Sequence, residues 1–193
     1  NACSCRFLSA QPLDDHGHAH TAAEVTQAVP VCAMVETPEA VAHVEELVRD
    51  ADFISIGTND LVQYTLGLDR ERPLASAGAV ADPAVLALVE ATVAAASRAG
   101  LAVEVCGEAA GEPALAALFV GLGVRELSVS PARVDEVRAA VRSVSREAAV
   151  ATARAALRAG SAREALVIAA DLVSGESGGE RGEALDGRGG VIA

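Results

Sequence analysis

Aromatic residues are scarce in this sequence of 193 residues: they make up 2% of the chain, although hydrophobic residues make up 51%. The core must therefore be built mainly from alanine, valine and leucine. These small side chains bury less apolar area each, at roughly 25 cal/mol per Å². The composition favours helices packed closely on strands over a core arranged around large rings.

Positive charge is also scarce, because 15 Lys and Arg stand against 27 Asp and Glu and leave a formal net charge of −12. A chain without a basic stripe cannot neutralise many phosphates, so we expect no nucleic-acid partner. No apolar run reaches the ~20 residues that cross a bilayer, and no signal-peptide pattern is present. We therefore expect no membrane association and a cytoplasmic location. The four irregularly spaced cysteines favour reduced thiols over a disulfide framework.

The two ends of the chain differ in composition from its middle. Residues 1–27 are polar and lack periodicity, and residues 174–193 are rich in Gly, Glu and Arg, so we expect disorder in both. Because the first residue is Asn1 rather than Met, we expect a piece of a longer product. An alternative for the first segment is a zinc site built from Cys3, Cys5, His16, His18 and His20. The spacing of these residues is unusual for a structural zinc site.

Short apolar runs alternate with helix-start signals between these ends. The predicted strands are Val29–Val35, Asp52–Ile56, Ala102–Cys106 and Glu126–Val129. Four prolines mark predicted helix starts between or after these strands: Pro38, Pro83, Pro113 and Pro131. Proline suits the first position of a helix, because the N–H that it lacks has no helical partner there. Ser161 and Glu164 indicate a capping box for one further helix.

Strand–helix units in series predict a parallel α/β sheet, because parallel strands need crossover connections. A complete eight-unit barrel takes about 250 residues, whereas the four units here occupy roughly 120. Residues 28–149 therefore predict either half of a barrel or a small open sheet. We expect a helical extension over residues 150–173.

Polar residues follow each predicted strand at its C-terminal end. Glu36 follows the first strand, Asn59 and Asp60 follow the second, and Cys106 ends the third. In a parallel sheet these ends share one edge, which is where ligands bind. Two carboxylates and an amide at that edge suit Mg²⁺. Each residue alone also has an ordinary structural explanation, such as a turn, a helix cap, a surface ion pair of Arg70 or a core thiol.

Four stretches in this order resemble the signatures of phosphoenolpyruvate-utilising enzymes: MVETP at 34–38, FISIGTNDLVQYTLGLDR at 53–70, CGEAAG at 106–111 and GLGVRELSVSP at 121–131. The resemblance covers about residues 29–147. Tyr64 and the last stretch are most similar to enzyme I of the bacterial sugar phosphotransferase system. Pyruvate phosphate dikinase and phosphoenolpyruvate synthase, which share the barrel, are the alternatives within the family.

The resemblance implies the C-terminal half of a phosphoenolpyruvate-binding (β/α)8 TIM barrel that uses Mg²⁺. It implies transfer of the phosphoryl group to a histidine on a separate domain, release of pyruvate, and relay to the histidine-containing phosphocarrier protein. The full-length family is implied to be homodimeric. The implied roles are Mg²⁺ ligation by Glu36 and Asp60, donation to the phosphoryl group by Asn59 and Arg70, and proton donation to the enolate by Cys106.

Some family features are missing from the sequence. There is no Gly-Gly-x-Thr-Ser-His motif for a phosphohistidine, the earlier barrel strands with further arginines are absent, and Cys32 stands where glycine is usual. We therefore expect little activity from this chain alone, and a non-catalytic half-barrel interaction module is a further alternative. Half of a barrel leaves one flank of the sheet open, so we also expect poor solubility or oligomers.

Overall fold

The computed structural model describes residues 30–68 and 77–175. Within these ranges four strands form one sheet: β1 Cys32–Val35, β2 Phe53–Gly57, β3 Ala102–Cys106 and β4 Glu126–Leu127. All neighbouring strands are parallel, and their order in the sheet is the order in the chain. The predicted α/β class with a parallel sheet is confirmed, and the sheet agrees with half of a barrel.

Helices connect the strands and follow the last one. They are α1 Pro38–Ala42, α2 Val44–Asp50, α3 Thr58–Leu66, α4 Pro83–Arg98, α5 Pro113–Leu122, α6 Val134–Ser143, α7 Arg146–Ala156 and α8 Ala162–Ser174. Short 3-10 turns occupy Ala77–Ala81, Glu108–Gly111 and Pro131–Arg133. Among the helices of the described ranges, none has the length and apolar character needed to cross a membrane.

Local capping explains where several helices begin. Thr37 Oγ1 accepts a hydrogen bond from Ala40 N at 3.1 Å, one residue before Pro38 opens α1. Asp82 caps α4 in the same way through Ala84 N at 2.9 Å. These side chains satisfy N–H groups that have no partner inside the helix.

The structure departs from the predicted elements in detail. Strand β4 is only Glu126–Leu127, shorter than predicted, and the strand pairing of β1 begins at Cys32. Helix α7 spans residue 150, so the predicted boundary between 149 and 150 falls inside this helix. The capping box of α8 is half formed: Ser161 Oγ accepts from Glu164 N, but the Glu164 carboxylate accepts from Gly160 N at 2.8 Å. Most of the predicted terminal segments, with all five residues of the zinc alternative, lie outside the described residues.

The two faces of the sheet differ in burial. One face is almost wholly buried in the main hydrophobic cluster by Val35, Ile54, Ile56, Val103, Val105 and Leu127. Alternation along each strand places a second set on the opposite face, where Ser55 and Cys106 are buried but four larger side chains are only half-buried: Met34, Phe53, Glu104 and Glu126. We call the face with this second set the open face.

Helix α5 lies at the centre of the helical layer. Its residues 115–119 are all fully buried. Ala117 belongs to a separate cluster with Val144, Ala149 and Leu172, contributed by the segments that follow β4. Helices α7 and α8 therefore pack on α5 and belong to the same fold as the sheet.

Candidate functional site

A pocket of about 800 Å³ lies at the carboxyl ends of the four strands. Its lining includes one or more polar residues from the end of each strand: Glu36, Asn59, Asp60, Cys106, Glu108, Ser128 and Ser130. The volume falls in the range of small-molecule sites. The structure thus brings Glu36, Asn59, Asp60 and Cys106 together, whereas Arg70 lies outside the described residues. The chemical role of each remains a prediction.

The carboxylate of Glu36 is packed over Gly57. A methyl group on Gly57 would stand 2.9 Å from Glu36 Oε2 and 3.0 Å from Glu36 Cβ. A methyl group there would require the Glu36 side chain to move. Gly57 at the end of β2 therefore lets the carboxylate after β1 lie beside the strand end.

Helix α3 starts directly after β2, with Gly57 as its N-cap, so Asn59 and Asp60 lie in its first turn. The N–H groups of a first turn lack helical partners and favour anionic ligands. Thr58 Oγ1 donates to the Cys106 carbonyl oxygen at 2.9 Å, which ties this turn to the end of β3. Asn59 and Asp60 therefore lie at a helix end that is hydrogen-bonded to β3, the strand that carries Cys106.

Gly107 allows the first turn of α3 to approach β3 closely. Its φ is +110°, and a methyl group there would collide with Thr58 Oγ1 and stand 3.2 Å from Asn59 Oδ1. Both the backbone conformation and the space exclude a larger residue. The Asn59 amide therefore lies against the Cys106–Gly107 corner.

The Cys106 side chain is buried, with 8% of the residue exposed. Its Sγ donates to the Ile56 carbonyl oxygen at 3.5 Å and accepts from Ser55 Oγ at 3.6 Å. Ser55 is itself fully buried. The thiol therefore lines the pocket, and these two hydrogen bonds connect it to β2.

Glu104, on β3 two residues before Cys106, was not predicted from the sequence, and it does not belong to the pocket lining. Burial is the main cause that raises the pKa of its carboxyl, and the neighbouring Glu126 raises it further, while hydrogen bonds from Ser128 and Ser55 oppose the shift. In the sequence, the signal was a charged residue in an otherwise apolar strand, two positions before Cys106. Its meaning depends on the register with β2 and β4.

Arg133 is a second residue that sequence reasoning missed. It contributes a guanidinium to the pocket lining, from the turn after β4. Its Nε donates to the Gly111 carbonyl oxygen at 3.0 Å, and its two terminal nitrogens pair with Glu112 at 3.2 Å and Glu136 at 2.9 Å. Arg133 therefore holds the loop after β3 against the loop after β4. In the sequence its only signal was its place shortly after the fourth strand.

The donor set of the pocket fits Mg²⁺. Within residues 30–68 and 77–175 there is no group of three or more His, Cys, Asp and Glu arranged around one metal position. Mg²⁺ does not need such a group, because it is usually held by one or two carboxylates together with waters and phosphate oxygens. Glu36 and Asp60 supply two carboxylates to one pocket.

One known protein family matches more than half of this chain. The family described as "PEP-utilising enzyme, PEP-binding domain" matches residues 15–146, more than half of the chain. The chain belongs to this family. The matched residues include all four strands and the whole pocket. The match begins within residues 1–27, the segment that differs in composition from the middle of the chain.

Several known proteins are similar to this PEP-binding domain, and their names refer to phosphoryl transfer. A phosphoenolpyruvate-protein phosphotransferase from Cupriavidus necator is 44% identical over 127 residues, 65% of this chain and 21% of the relative. The protein of the same name from Streptomyces coelicolor is 40% identical over 150 residues, 75% of this chain and 26% of the relative. A multiphosphoryl transfer protein from Rhodobacter capsulatus is 49% identical over 115 residues, 59% and 14% of the two chains. The chain thus spans at most about a quarter of the length of these three relatives.

Proposed function

We propose that this chain is the phosphoenolpyruvate-binding part of a phosphoenolpyruvate-protein phosphotransferase, enzyme I of the sugar phosphotransferase system. The observation that carries the proposal is the convergence of Glu36, Asn59, Asp60 and Cys106 in one pocket. Relatives with this name match the region that contains the pocket. Their names favour this function over a dikinase or a phosphoenolpyruvate synthase.

The proposed reaction moves the phosphoryl group of phosphoenolpyruvate to a histidine outside this chain. The phosphorylated histidine then passes the group to the phosphocarrier protein, and pyruvate leaves. We place this relay in the cytoplasm, in sugar uptake, and expect a homodimer of the full-length protein. This chain supplies the binding and positioning of phosphoenolpyruvate rather than the complete transfer.

The carboxylates of Glu36 and Asp60 would hold the Mg²⁺ ion. When bound, this ion neutralises negative charge on the phosphate oxygens. The Asn59 amide and the N–H groups of the first turn of α3 donate hydrogen bonds to the same oxygens. Arg70 adds a guanidinium with paired donors. Together these groups stabilise the charge of the phosphoryl group as it leaves.

Cys106 is the proposed proton donor to the leaving group. Loss of the phosphoryl group leaves the enolate of pyruvate, and the Cys106 thiol transfers its proton to the enolate carbon as a general acid. The position of the thiol is fixed by Ile56 and Ser55 on β2.

Calorimetric titration of phosphoenolpyruvate tests the proposed site. We expect the chain to bind phosphoenolpyruvate only in the presence of Mg²⁺, and Asp60→Asn to weaken that binding by at least about tenfold, because one metal ligand becomes neutral. Glu90→Gln, which changes an exposed carboxylate on α4, serves as the matched control and retains binding.

Two results would contradict the proposed site. Binding that does not depend on Mg²⁺ and persists in Asp60→Asn would show that these carboxylates do not form a metal site. A folded chain that binds no phosphoenolpyruvate at all would show that the pocket is not a binding site in this chain.

A further inference from the structure

Arg133 joins three parts of the chain at the edge of the pocket. Its Nε donates to the Gly111 carbonyl oxygen at 3.0 Å, and its terminal nitrogens pair with Glu112 at 3.2 Å and with Glu136 at 2.9 Å. Gly111 and Glu112 belong to the segment between β3 and α5, whereas Glu136 lies on α6. We call this segment, residues 107–112, the thiol loop, because it follows the strand that ends at the thiol.

The contact with Gly111 satisfies a buried backbone group. Gly111 is buried, and within the described part of the chain no second hydrogen bond to its carbonyl oxygen accompanies the one from Arg133. A buried carbonyl without a partner costs the free energy of its lost hydration. The far end of the thiol loop therefore depends on a side chain that comes from beyond β4.

The thiol loop is a tight turn that connects its two ends. Ala110 N donates to the Gly107 carbonyl oxygen at 3.2 Å. Glu112 N donates in the same way to the Ala109 carbonyl oxygen at 3.1 Å. Both alanines are fully buried. Two overlapping turns with buried side chains leave the loop few other conformations, so a displacement at Gly111 is passed on to Gly107.

The near end of the thiol loop contacts two of the predicted site residues. Gly107 follows Cys106, and a methyl group on Gly107 would stand 3.2 Å from Asn59 Oδ1. The Cys106 carbonyl oxygen also accepts a hydrogen bond from Thr58 Oγ1 at 2.9 Å. Because only 8% of Cys106 is exposed, a movement of the loop changes how far reagents in solution can reach the thiol.

We propose that Arg133 positions the thiol of Cys106 and the amide of Asn59, because it holds the far end of the thiol loop. The effect on phosphoenolpyruvate rests on the proposed function, whereas the effect on the thiol does not. A guanidinium suits this role, because its planar fork donates in three directions at once. A lysine ammonium carries the same charge on a flexible stem and does not reproduce the three contacts.

The reaction of Cys106 with iodoacetamide tests the proposal in the complete chain, without phosphoenolpyruvate or Mg²⁺. Mass spectrometry follows the Cys106 and Cys32 peptides in the same sample. Cys32 lies at the start of β1, at the opposite end of the sheet, and reports general unfolding. We expect Arg133→Gln to accelerate the reaction of Cys106 about tenfold, because the loop opens more often without its hydrogen bond. The rate of Cys32 should not change.

Charge alone predicts the opposite sign. Removal of a nearby cation makes a thiolate less stable and slows its alkylation. We expect Arg133→Lys, which keeps the charge, to leave Cys106 nearly as reactive as in Arg133→Gln. Arg138→Gln is the matched control, since the Arg138 side chain is 42% exposed against 36% for Arg133 and forms its ion pair with Asp135 on α6 itself. This control should retain the original rate.

Glu136→Gln is a second test that leaves the sequence of the thiol loop unchanged. Glu136 lies on α6 outside the pocket lining, and its ion pair with Arg133 connects it to the loop. We expect about threefold faster alkylation of Cys106, in proportion to the loss of one exposed ion pair. In the Arg133→Gln background the substitution should have no further effect. Asp135→Asn, which removes a charge at the neighbouring position, is the control and should leave the rate unchanged.

Titration with phosphoenolpyruvate and Mg²⁺ extends the test to the proposed function. We expect Arg133→Gln to weaken binding about tenfold, because the thiol and the Asn59 amide are no longer held in place. Arg138→Gln should bind as the original chain does. If the original chain binds no phosphoenolpyruvate, the proposed function fails, and the alkylation rates still decide whether Arg133 positions the thiol.

Four results would overturn the proposal. Equal acceleration of Cys106 and Cys32 in Arg133→Gln would show a general loss of stability. A slower reaction in Arg133→Gln, or the original rate in Arg133→Lys, would show an effect of charge alone. Undiminished binding of phosphoenolpyruvate by Arg133→Gln would show that the pocket does not depend on the loop. An unchanged Cys106 rate in Glu136→Gln would overturn the proposal even if Arg133→Gln did not fold.

Discussion

Glu104 and Glu126 place two carboxyl groups side by side on neighbouring strands. They are direct register partners on β3 and β4, and both are half-buried. Like charges directly opposite each other in a sheet are destabilising. Hydrogen bonds from Ser128 and Ser55 only partly offset this effect, since the net direction of the Glu104 pKa shift is upward. The pair is therefore a local site where protonation stabilises the fold.

The stability of the chain should depend on pH through Glu104. Its folded-state pKa is raised above the unfolded value, so the stabilisation by the bound proton is complete below the unfolded pKa and is lost as pH rises through the folded pKa. We expect Glu104→Gln to remove this loss and to be more stable than the original chain at neutral pH. The gain should be under about 1 kcal/mol, because solvent screens a half-exposed carboxyl.

Urea denaturation at a series of pH values measures this effect. Glu90→Gln on α4 provides the control, since its carboxyl is exposed and its substitution should leave the pH dependence unchanged. If Glu104→Gln keeps the same decline of unfolding free energy between acidic and neutral pH as the original chain, then Glu104 is not its source.

At the scale of elements, helix α5 and helix α7 come into backbone contact at Gly121. A methyl group on Gly121 would collide with the Ala149 carbonyl oxygen, and it would stand 2.6 Å from the Ala149 carbonyl carbon and 3.1 Å from Ala153 Cβ. A glycine near the end of a helix usually reduces helix stability relative to alanine. Here it permits the close approach of the two helices.

Helix propensity and packing change the free energy of unfolding of Gly121→Ala in opposite directions, so the sign of the measured change shows which effect is larger. Helix propensity alone would stabilise the chain by up to about 1 kcal/mol, whereas overpacking against a backbone costs about 1–3 kcal/mol. We expect net destabilisation of about 1–2 kcal/mol in chemical denaturation. Gly160→Ala is the control, because its methyl group would meet only the end of the flexible Glu164 side chain, at 3.3 Å. A stabilised Gly121→Ala variant would mean that α7 does not pack on α5 as described.

The elements that the sequence predicted well are those with local signals. Thr37 with Pro38 and Asp82 with Pro83 start helices through contacts within a few residues, which a sequence displays directly. Helix α7 was not predicted as a separate helix, because the residues that it buries are alanines, which resemble the alanines of its exposed side. The length of β4 depends on its pairing with β3, which no local signal reveals.

The same distinction applies to the candidate site. Motifs at strand ends suffice to indicate Glu36, Asn59, Asp60 and Cys106 from the sequence alone, because parallel strands share one edge. Arg133, which lines the pocket, was missed, and so was the pairing of Glu104 with Glu126 on the neighbouring strand. Their roles arise from contacts between segments distant in the chain, such as the bond from Arg133 to Gly111. Register and loop packing supply that information, and sequence patterns do not.

At the scale of the whole molecule, the sheet has one buried face and one open face. Phe53 and Met34 lie half-buried on the open face, while the opposite face is enclosed by the core. Among the strands of residues 30–68 and 77–175, β1 and β4 lie at the two edges of the sheet. Exposed apolar surface beside strand edges promotes association between chains.

We expect this chain to self-associate with rising concentration, as measured by sedimentation velocity. Phe53→Gln should weaken the association severalfold, because it removes the large apolar side chain from the open face. Val167→Gln is the matched control: Val167 is 54% exposed on α8, away from the sheet. A larger effect of Val167→Gln than of Phe53→Gln would place the contact on the helical layer, and a concentration-independent monomer would contradict the expectation.

The order of strands in the sheet has a consequence for synthesis on the ribosome. Each strand pairs with the strand that precedes it in the chain, so every new pair forms between consecutive segments. Contacts between segments close in sequence cost less loop-closure entropy and form earlier than distant ones. As the polypeptide emerges, β2 can dock on β1, β3 on β2 and β4 on β3, with each crossover helix covering the strand pair just made. The described part of the fold can therefore grow in one direction, from β1 toward α8.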